Sequence, residues 1–186
     1  MLEPDITALA LAAGRGDEAA IVAFIRATQH DVMRFLAPLS SPADVEDLTQ
    51  ETYLRALRSL PAFAARSSAR TWLFSIARRV AADAVRQATR RPRIAATPDW
   101  QACADAAGPG TRFDERLALT DLIADLLPER REAFVATQVV GLSYAEAAEI
   151  CDCPIGTIRS RVARAREDLV AALADRRLPA NPAASG

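Results

Sequence analysis

The sequence has no lysine: all 23 of its basic side chains are arginine. With the abundance of alanine, this reads as a bias toward GC-rich codons, so arginine content alone says little about function. Aromatic residues are scarce, at 5%. Alanine costs least in a helix and packs poorly on a pleated face, so this composition argues against a β fold. Cysteine occurs three times, an odd and low number that excludes a disulfide framework. No apolar run is long enough to span a bilayer and no basic-then-apolar leader opens the chain, so the expected location is cytoplasmic. The single histidine, His30, completes no catalytic constellation. The chain is expected not to be an enzyme and to need no cofactor.

Half of the residues are apolar, enough for a core, and the net charge is only −1. The distribution of that charge is more telling. Residues 1–51 carry three Arg and nine acids, and residues 99–153 carry four Arg and eleven acids. Between them, residues 52–98 hold ten Arg against one acid, Asp83, and residues 154–177 hold six Arg against three acids. Two basic blocks alternating with two acidic ones fit two contacts with a polyanion and acidic surfaces kept for protein partners.

Helical periodicity is visible almost throughout, and no stretch alternates like a strand. The fold class expected is all-α: two small helical domains joined by a flexible linker, the second carrying a helix-turn-helix. Residues 1–91 form the first domain, 92–112 the Pro- and Gly-containing linker, 113–177 the second domain and 178–186 a disordered tail. Within the first domain, helices are predicted over about 5–14, from Glu18 to Leu36, from about Pro42 to Leu60, and from after Ser67 or Ser68 to about Arg90.

On the third predicted helix, Val45, Leu48, Thr49, Thr52 and Ala56 share an inner face. Asp44, Asp47 and Glu51 share another, flanked by Gln50 and Leu54. Such a face is either a solvated helix start, where acids favour the dipole, or a docking surface for a basic partner with Leu54 at its apolar centre. On the fourth, Leu73, Ile76, Ala77, Val80 and Ala84 make a core side, and Arg78, Arg79, Arg86 and Arg90 spread over the other. Asp83 lies within helical reach of Arg79 and Arg86. Trp72, beside the loop 61–70, is either a core-edge residue or part of a groove in which arginines track phosphates while rings stack on bases.

The second domain carries the most specific signal. A helix is predicted from about Pro128 to Val140, ended by Gly141. Ser143 and Glu146 make a capping box that opens a short helix, Tyr144 to Ile150. A tight turn follows, then a longer basic helix from Pro154 or Ile155, which is the helix-turn-helix plan. In that helix Ile155, Ile158, Val162, Ala165 and Leu169 form one stripe, with Arg159 and Arg166 at its edge. Thr157, Ser160, Arg161 and Arg164 point away from it, and Gly156 leaves room for a close approach. A plain amphipathic surface helix is the alternative. Cys151 and Cys153 read as small apolar turn residues. Two thiols one residue apart, a distant Cys103 and one histidine do not supply a tetrahedral zinc site, so no metal is expected.

Three segments together resemble the sigma-70-type RNA polymerase sigma factors of the compact extracytoplasmic-function (ECF) class. They are DVEDLTQETYLRAL at 44–57, ARTWLFSIARRVAADAVR at 69–86, and LPERREAFVATQVVGLSYAEAAEICDCPIGTIRSRVARARE at 127–167. The resemblance implies a factor that binds core RNA polymerase, through the β′ clamp helices and the β flap, and directs promoter-specific initiation. Asp44, Asp47, Gln50, Glu51 and Leu54 would contact the polymerase. Phe63, Ser67, Ser68, Arg70, Trp72, Arg78, Arg79 and Arg86 would bind and help melt the −10 element. Thr157, Arg159, Ser160, Arg161 and Arg164 would read the −35 element, and the linker would thread into the polymerase. An anti-sigma protein is a further partner common in this class.

Two positions depart from the family pattern. Arg79 stands where many relatives have Asn, and Asp152 fills a turn position that is often Gly, where Asp tolerates a left-handed backbone. The competing readings are a duplex-binding regulator that acts without the polymerase and a thiol-based sensor. Neither explains the acidic 44–54 face or the basic fourth helix.

Overall fold

The computed structural model describes residues 5–90 and 119–177. The predicted linker at 92–112, the tail at 178–186 and Cys103 lie outside the described residues. Seven helices are named here: α1 (Ile6–Gly14), α2 (Glu18–Leu36), α3 (Val45–Ser59), α4 (Ala69–Arg90), α5 (Pro128–Phe134), α6 (Tyr144–Cys151) and α7 (Ile155–Arg177). Residues 119–124 are also helical, short 3-10 turns flank α3, and no strand occurs among the described residues.

Local chemistry sets most helix starts. Asp5 accepts from the backbone N–H groups of Thr7 and Ala8 at 2.9 and 3.1 Å, and Asp17 accepts from Ala20 N–H at 3.0 Å. Ser68 accepts from Thr71 N–H at 3.0 Å, which settles which of the two serines opens α4. The Thr7 hydroxyl of α1 takes the N–H of Ala69 at 3.2 Å, tying the first helix to that same start. Gly14 ends α1 against the end of α3: a Cβ built there would lie 2.6 Å from the Leu60 carbonyl oxygen, so only glycine fits.

The four N-terminal helices pack around Phe24, Val32, Phe35, Leu36, Leu73 and Phe74, all essentially without solvent exposure. The Phe35 and Phe74 rings are tilted with centroids 5.1 Å apart. Inside this bundle the Tyr53 hydroxyl meets the Thr28 hydroxyl at 2.7 Å. Burial pushes the tyrosine up to about 12, so it stays neutral. On the C-terminal side Ala133, Val135, Ala136, Ile150, Ile158, Val162 and Ala165 form the core between α5, α6 and α7.

The helix predicted to run unbroken to Val140 does not do so. After Phe134 it widens into a π turn over Val135–Val139, with Val140 N–H bonded to the Val135 carbonyl at 3.0 Å. Gly141 then takes a positive φ of 79° and reverses the chain. This end packs on the N-terminal bundle, which explains the widening: Arg34 donates to the Val139 carbonyl, and Arg70 donates to the Val140 carbonyl at 2.8 Å. Two guanidiniums from α2 and α4 thus satisfy carbonyls that a helix end leaves without partners. The buried apolar residues of the two halves join into one contiguous cluster.

Candidate nucleic-acid and polymerase interfaces

The acidic face of α3 is outward, as its spacing predicts. Asp44, Asp47 and Gln50 are exposed, Glu51 is half-buried, and Leu54 is 50% exposed despite being apolar. Glu51 is not free, because Arg55 donates to it at 2.7 Å. Asp44 accepts from the Ser41 hydroxyl at 2.7 Å, while Asp47 has no partner among the described residues. Beside this face α2 and α3 enclose a groove of about 620 Å³, with Ile25, Met33, Tyr53, Leu54 and Leu57 among its walls. Met33 is 44% exposed. The α2 wall was not read from the sequence, because Ile25 and Met33 gain meaning only once α2 lies beside α3. The arrangement is an apolar slot with an acidic rim, suited to a helix that presents apolar and basic side chains.

The loop before α4 brings Phe63 onto Trp72, with ring centroids 4.9 Å apart. Both rings are partly exposed, so Trp72 is an edge residue with one side available. Ser68 is spent on capping α4 and Ser67 is half-buried. The arginines of α4 divide into two groups. Arg79 is exposed and without a carboxylate partner among the described residues. Of the two arginines within helical reach of Asp83, Arg86 pairs with it and Arg79 does not, and Asp83 also binds Arg55 of α3 at 2.8 Å. These two guanidiniums hold the Asp83 carboxyl below the usual carboxylate range.

The other group faces the C-terminal half. Arg78, placed on the outward side by its spacing, donates from Nε to Glu132 at 2.8 Å. Burial works against its charge, but the Glu132 carboxylate more than offsets it and raises its pKa. Arg70 bridges Asp31 at 2.7 Å and the Val140 carbonyl, with its guanidinium 5.7 Å from the Phe74 ring centre. Thr71 donates to Glu146 at 3.2 Å. Glu146 is the capping-box acid, and its other oxygen accepts from Ser143 N–H and Oγ at 2.9 and 2.7 Å. Although burial opposes ionisation, bonds from Ser143 and Thr71 hold the Glu146 carboxyl below its ordinary range.

In the helix-turn-helix, α6 ends at Asp152 with φ 49°, the left-handed conformation expected of that turn position. Ile158, Val162, Ala165 and Leu169 are buried as the stripe requires. Ile155 is the exception, at 41% exposed, because it lies at the helix mouth before the stripe meets α6. Arg159, Ser160 and Arg164 are exposed and Thr157 is half-buried, so the first turns of α7 present an open polar face. No protein atom comes within 4 Å of a Cβ built at Gly156, which leaves that approach clear. Arg161 turns inward instead, with its Nη1 3.7 Å from the Cys153 sulfur. Arg166 is spent on the Gln138 side chain at 2.7 Å. Burial pushes the Cys151 thiol up to about 11, which makes it a poor nucleophile at neutral pH. Among the described residues no group of His, Cys, Asp or Glu could hold a metal ion.

Two family models match the chain: Sigma-70 region 2 over residues 24–91 and Sigma-70 region 4 over residues 116–169. The ECF RNA polymerase sigma factor SigC of Mycobacterium tuberculosis is 53% identical over 168 residues, which cover 89% of this chain and 90% of that one. This chain is an ECF sigma factor of the sigma-70 family. It acts in promoter-specific initiation by RNA polymerase. Among solved structures, a sigma factor RpoE held in complex with the anti-sigma factor NepR, from Bartonella quintana, matches with a TM-score of 0.66 and 29% identity, covering 84% of this chain and 98% of that one. CnrH, solved with the cytosolic domain of CnrY, shares the fold with a TM-score of 0.73 and 24% identity, covering 94% of this chain and 100% of that chain. No described helix of this sigma factor is long and apolar enough to cross a membrane.

Region 2 of this sigma factor offers Arg79 and the Phe63–Trp72 pair to solvent, while Arg70 and Arg78 are held by region 4. The residue that sequence reasoning missed on the region 4 side is Glu132. Its only signal was an acid on the helix that precedes the helix-turn-helix, which says nothing about a partner 54 residues upstream.

Proposed function

We propose that the three faces left open by the fold are the three working surfaces of this sigma factor. The acidic face of Asp44, Asp47 and Glu51, with Gln50 and Leu54 at the edge of the adjoining apolar slot, docks core RNA polymerase at its β′ clamp helices, while region 4 engages the β flap. The loop and α4, through Phe63, Ser67, Trp72, Arg79 and Arg86, hold the melted −10 element. The exposed start of α7, through Thr157, Arg159, Ser160 and Arg164, reads the −35 element in the major groove. Partners of this reading are core polymerase, promoter DNA and an anti-sigma factor of the kind the Bartonella chain binds. The observation that carries it is the open apolar slot of Ile25, Met33, Tyr53, Leu54 and Leu57 lying beside the exposed, unpaired Asp47, a contiguous apolar surface next to acids of the kind that marks a protein-binding site.

Arg70 and Arg78 join the −10 surface only when region 4 moves away, whereas Ser68 is held by its own helix start. The −10 and −35 elements lie roughly 25 base pairs apart, about 85 Å at about 3.4 Å per step. Two domains in direct contact cannot reach both. Binding to a promoter therefore separates the halves and frees those two arginines.

The test is reconstitution with core polymerase on a pool of genomic promoters. Wild-type chain yields promoter-specific run-off transcripts. Asp47→Arg combined with Leu54→Ala abolishes co-purification with core while leaving the helical circular dichroism unchanged. Retained core binding by that variant refutes the proposed docking face.

A further inference from the structure

Seven arginines lie between residues 55 and 86. Four are neutralised inside the molecule: Arg55 by Glu51 and Asp83, Arg70 by Asp31, Arg78 by Glu132 and Arg86 by Asp83. Arg58, Arg66 and Arg79 have no carboxylate partner among the described residues. Two of these three, Arg58 at the end of α3 and Arg79 in the middle of α4, line one niche of about 290 Å³ with Arg55, Ser59 and Ile76. Ile76 is 8% exposed and forms an apolar floor between exposed guanidiniums. Asp83, the sole acid of this basic segment, is already bound by two arginines and cannot balance them. Two exposed guanidiniums at one niche with no internal counter-ion give it a local positive field that attracts an external anion.

The placement of the niche shows what kind of anion fits. Trp72, Ile76 and Arg79 stand at i, i+4 and i+7, so they share one side of α4. Thr71 and Arg78 occupy a different side, which region 4 covers. On the open side the aromatic pair Phe63–Trp72 comes first and the niche follows. Seven residues at about 1.5 Å rise separate Trp72 from Arg79 by about 10 Å along the axis. That offset is a few nucleotide steps along a strand whose base rests on the rings. A base resting on the rings therefore places a backbone phosphate of the same strand near the niche. Charge tracking the backbone beside a stacking platform is how single strands are held.

We propose that Arg58 and Arg79 clamp one backbone phosphate of the promoter strand in this niche, making Arg58 a DNA-positioning residue supplied by α3. This rests on the promoter-binding reading above. It assigns the contact to a phosphate, which positions the strand and carries no sequence information.

The experiment uses holoenzyme assembled from the full chain and core polymerase, on several promoter fragments recovered from the genomic pool, with equilibrium binding measured across a potassium chloride series. Arg58→Ala and Arg79→Ala each lower the slope of log affinity against log salt by about 0.7, the value for one single-strand phosphate contact. Arg58→Ala weakens all fragments by the same factor and leaves core binding unchanged. Arg15→Ala, an exposed arginine at the end of α1, changes neither quantity. Slopes equal to wild type for both niche variants overturn the clamp while leaving the sigma reading standing. An Arg58→Ala effect that differs between fragments overturns the phosphate assignment in favour of base reading. Wild-type holoenzyme that selects no promoter overturns the promoter-binding reading itself.

Discussion

Removing the Arg78 guanidinium should loosen the contact between the two halves of this sigma factor by an amount the structure bounds. Its Nε lies 2.8 Å from Glu132 Oε2, and the side chains are 29% and 20% exposed. That is drier than a surface pair, for which coupling is about 0.2–1 kcal/mol, and wetter than a buried one, where desolvation cancels most of the attraction. A double-mutant cycle over Arg78→Ala and Glu132→Ala should therefore give a coupling of about 1 kcal/mol, or about fivefold in the opening equilibrium. Each single variant should cost more than the coupling alone, because it leaves a part-buried charge without its partner. The assay is native-state hydrogen exchange of the amides around Val140–Leu142, which pack on the N-terminal bundle at this seam. The coupling should shrink in 1 M salt. Additivity within about 0.3 kcal/mol would refute the view that this pair latches the halves together.

Two other outcomes follow from the geometry. Gly14→Ala should destabilise the N-terminal bundle by about 1–3 kcal/mol, read by chemical denaturation, because its Cβ would meet the Leu60 carbonyl at 2.6 Å and backbone must shift. Unchanged stability would show that α1 does not need this close approach. The second concerns acid. Glu146 has a carboxyl pKa lowered in the folded state, so its stabilising bonds are complete above about 4.5, its ordinary value, and are lost as pH falls through the folded value. Protection of amides in the first turn of α6, measured relative to their intrinsic exchange at each pH, should fall in the wild type as the pH drops below 4.5 and through the folded value. In Glu146→Gln that protection should already be low at pH 7 and change less on acidification; identical profiles would remove Glu146 from the seam.

What could be read along the chain was whatever is encoded within a few residues. The capping box at Ser143–Glu146, the left-handed turn at Asp152, the buried stripe of α7 and the outward acids of α3 all depend on spacing within one or two helical turns, and all form as expected. The family resemblance belongs to this class too, since its motifs are contiguous. The structure alone decided which side chains are free. Arg78 and Arg79 are neighbours with the same chemistry, yet one is held by an acid 54 residues away and the other is open. Arg55 looked like one more surface cation until Asp83 of the next helix came within 2.8 Å. The π turn at Val135–Val139 carries no local signature either, because it forms where Arg34 and Arg70 from other helices cap its end. A periodic pattern states which face a residue lies on; only packing between distant segments determines whether that face is water, partner or another part of the same chain.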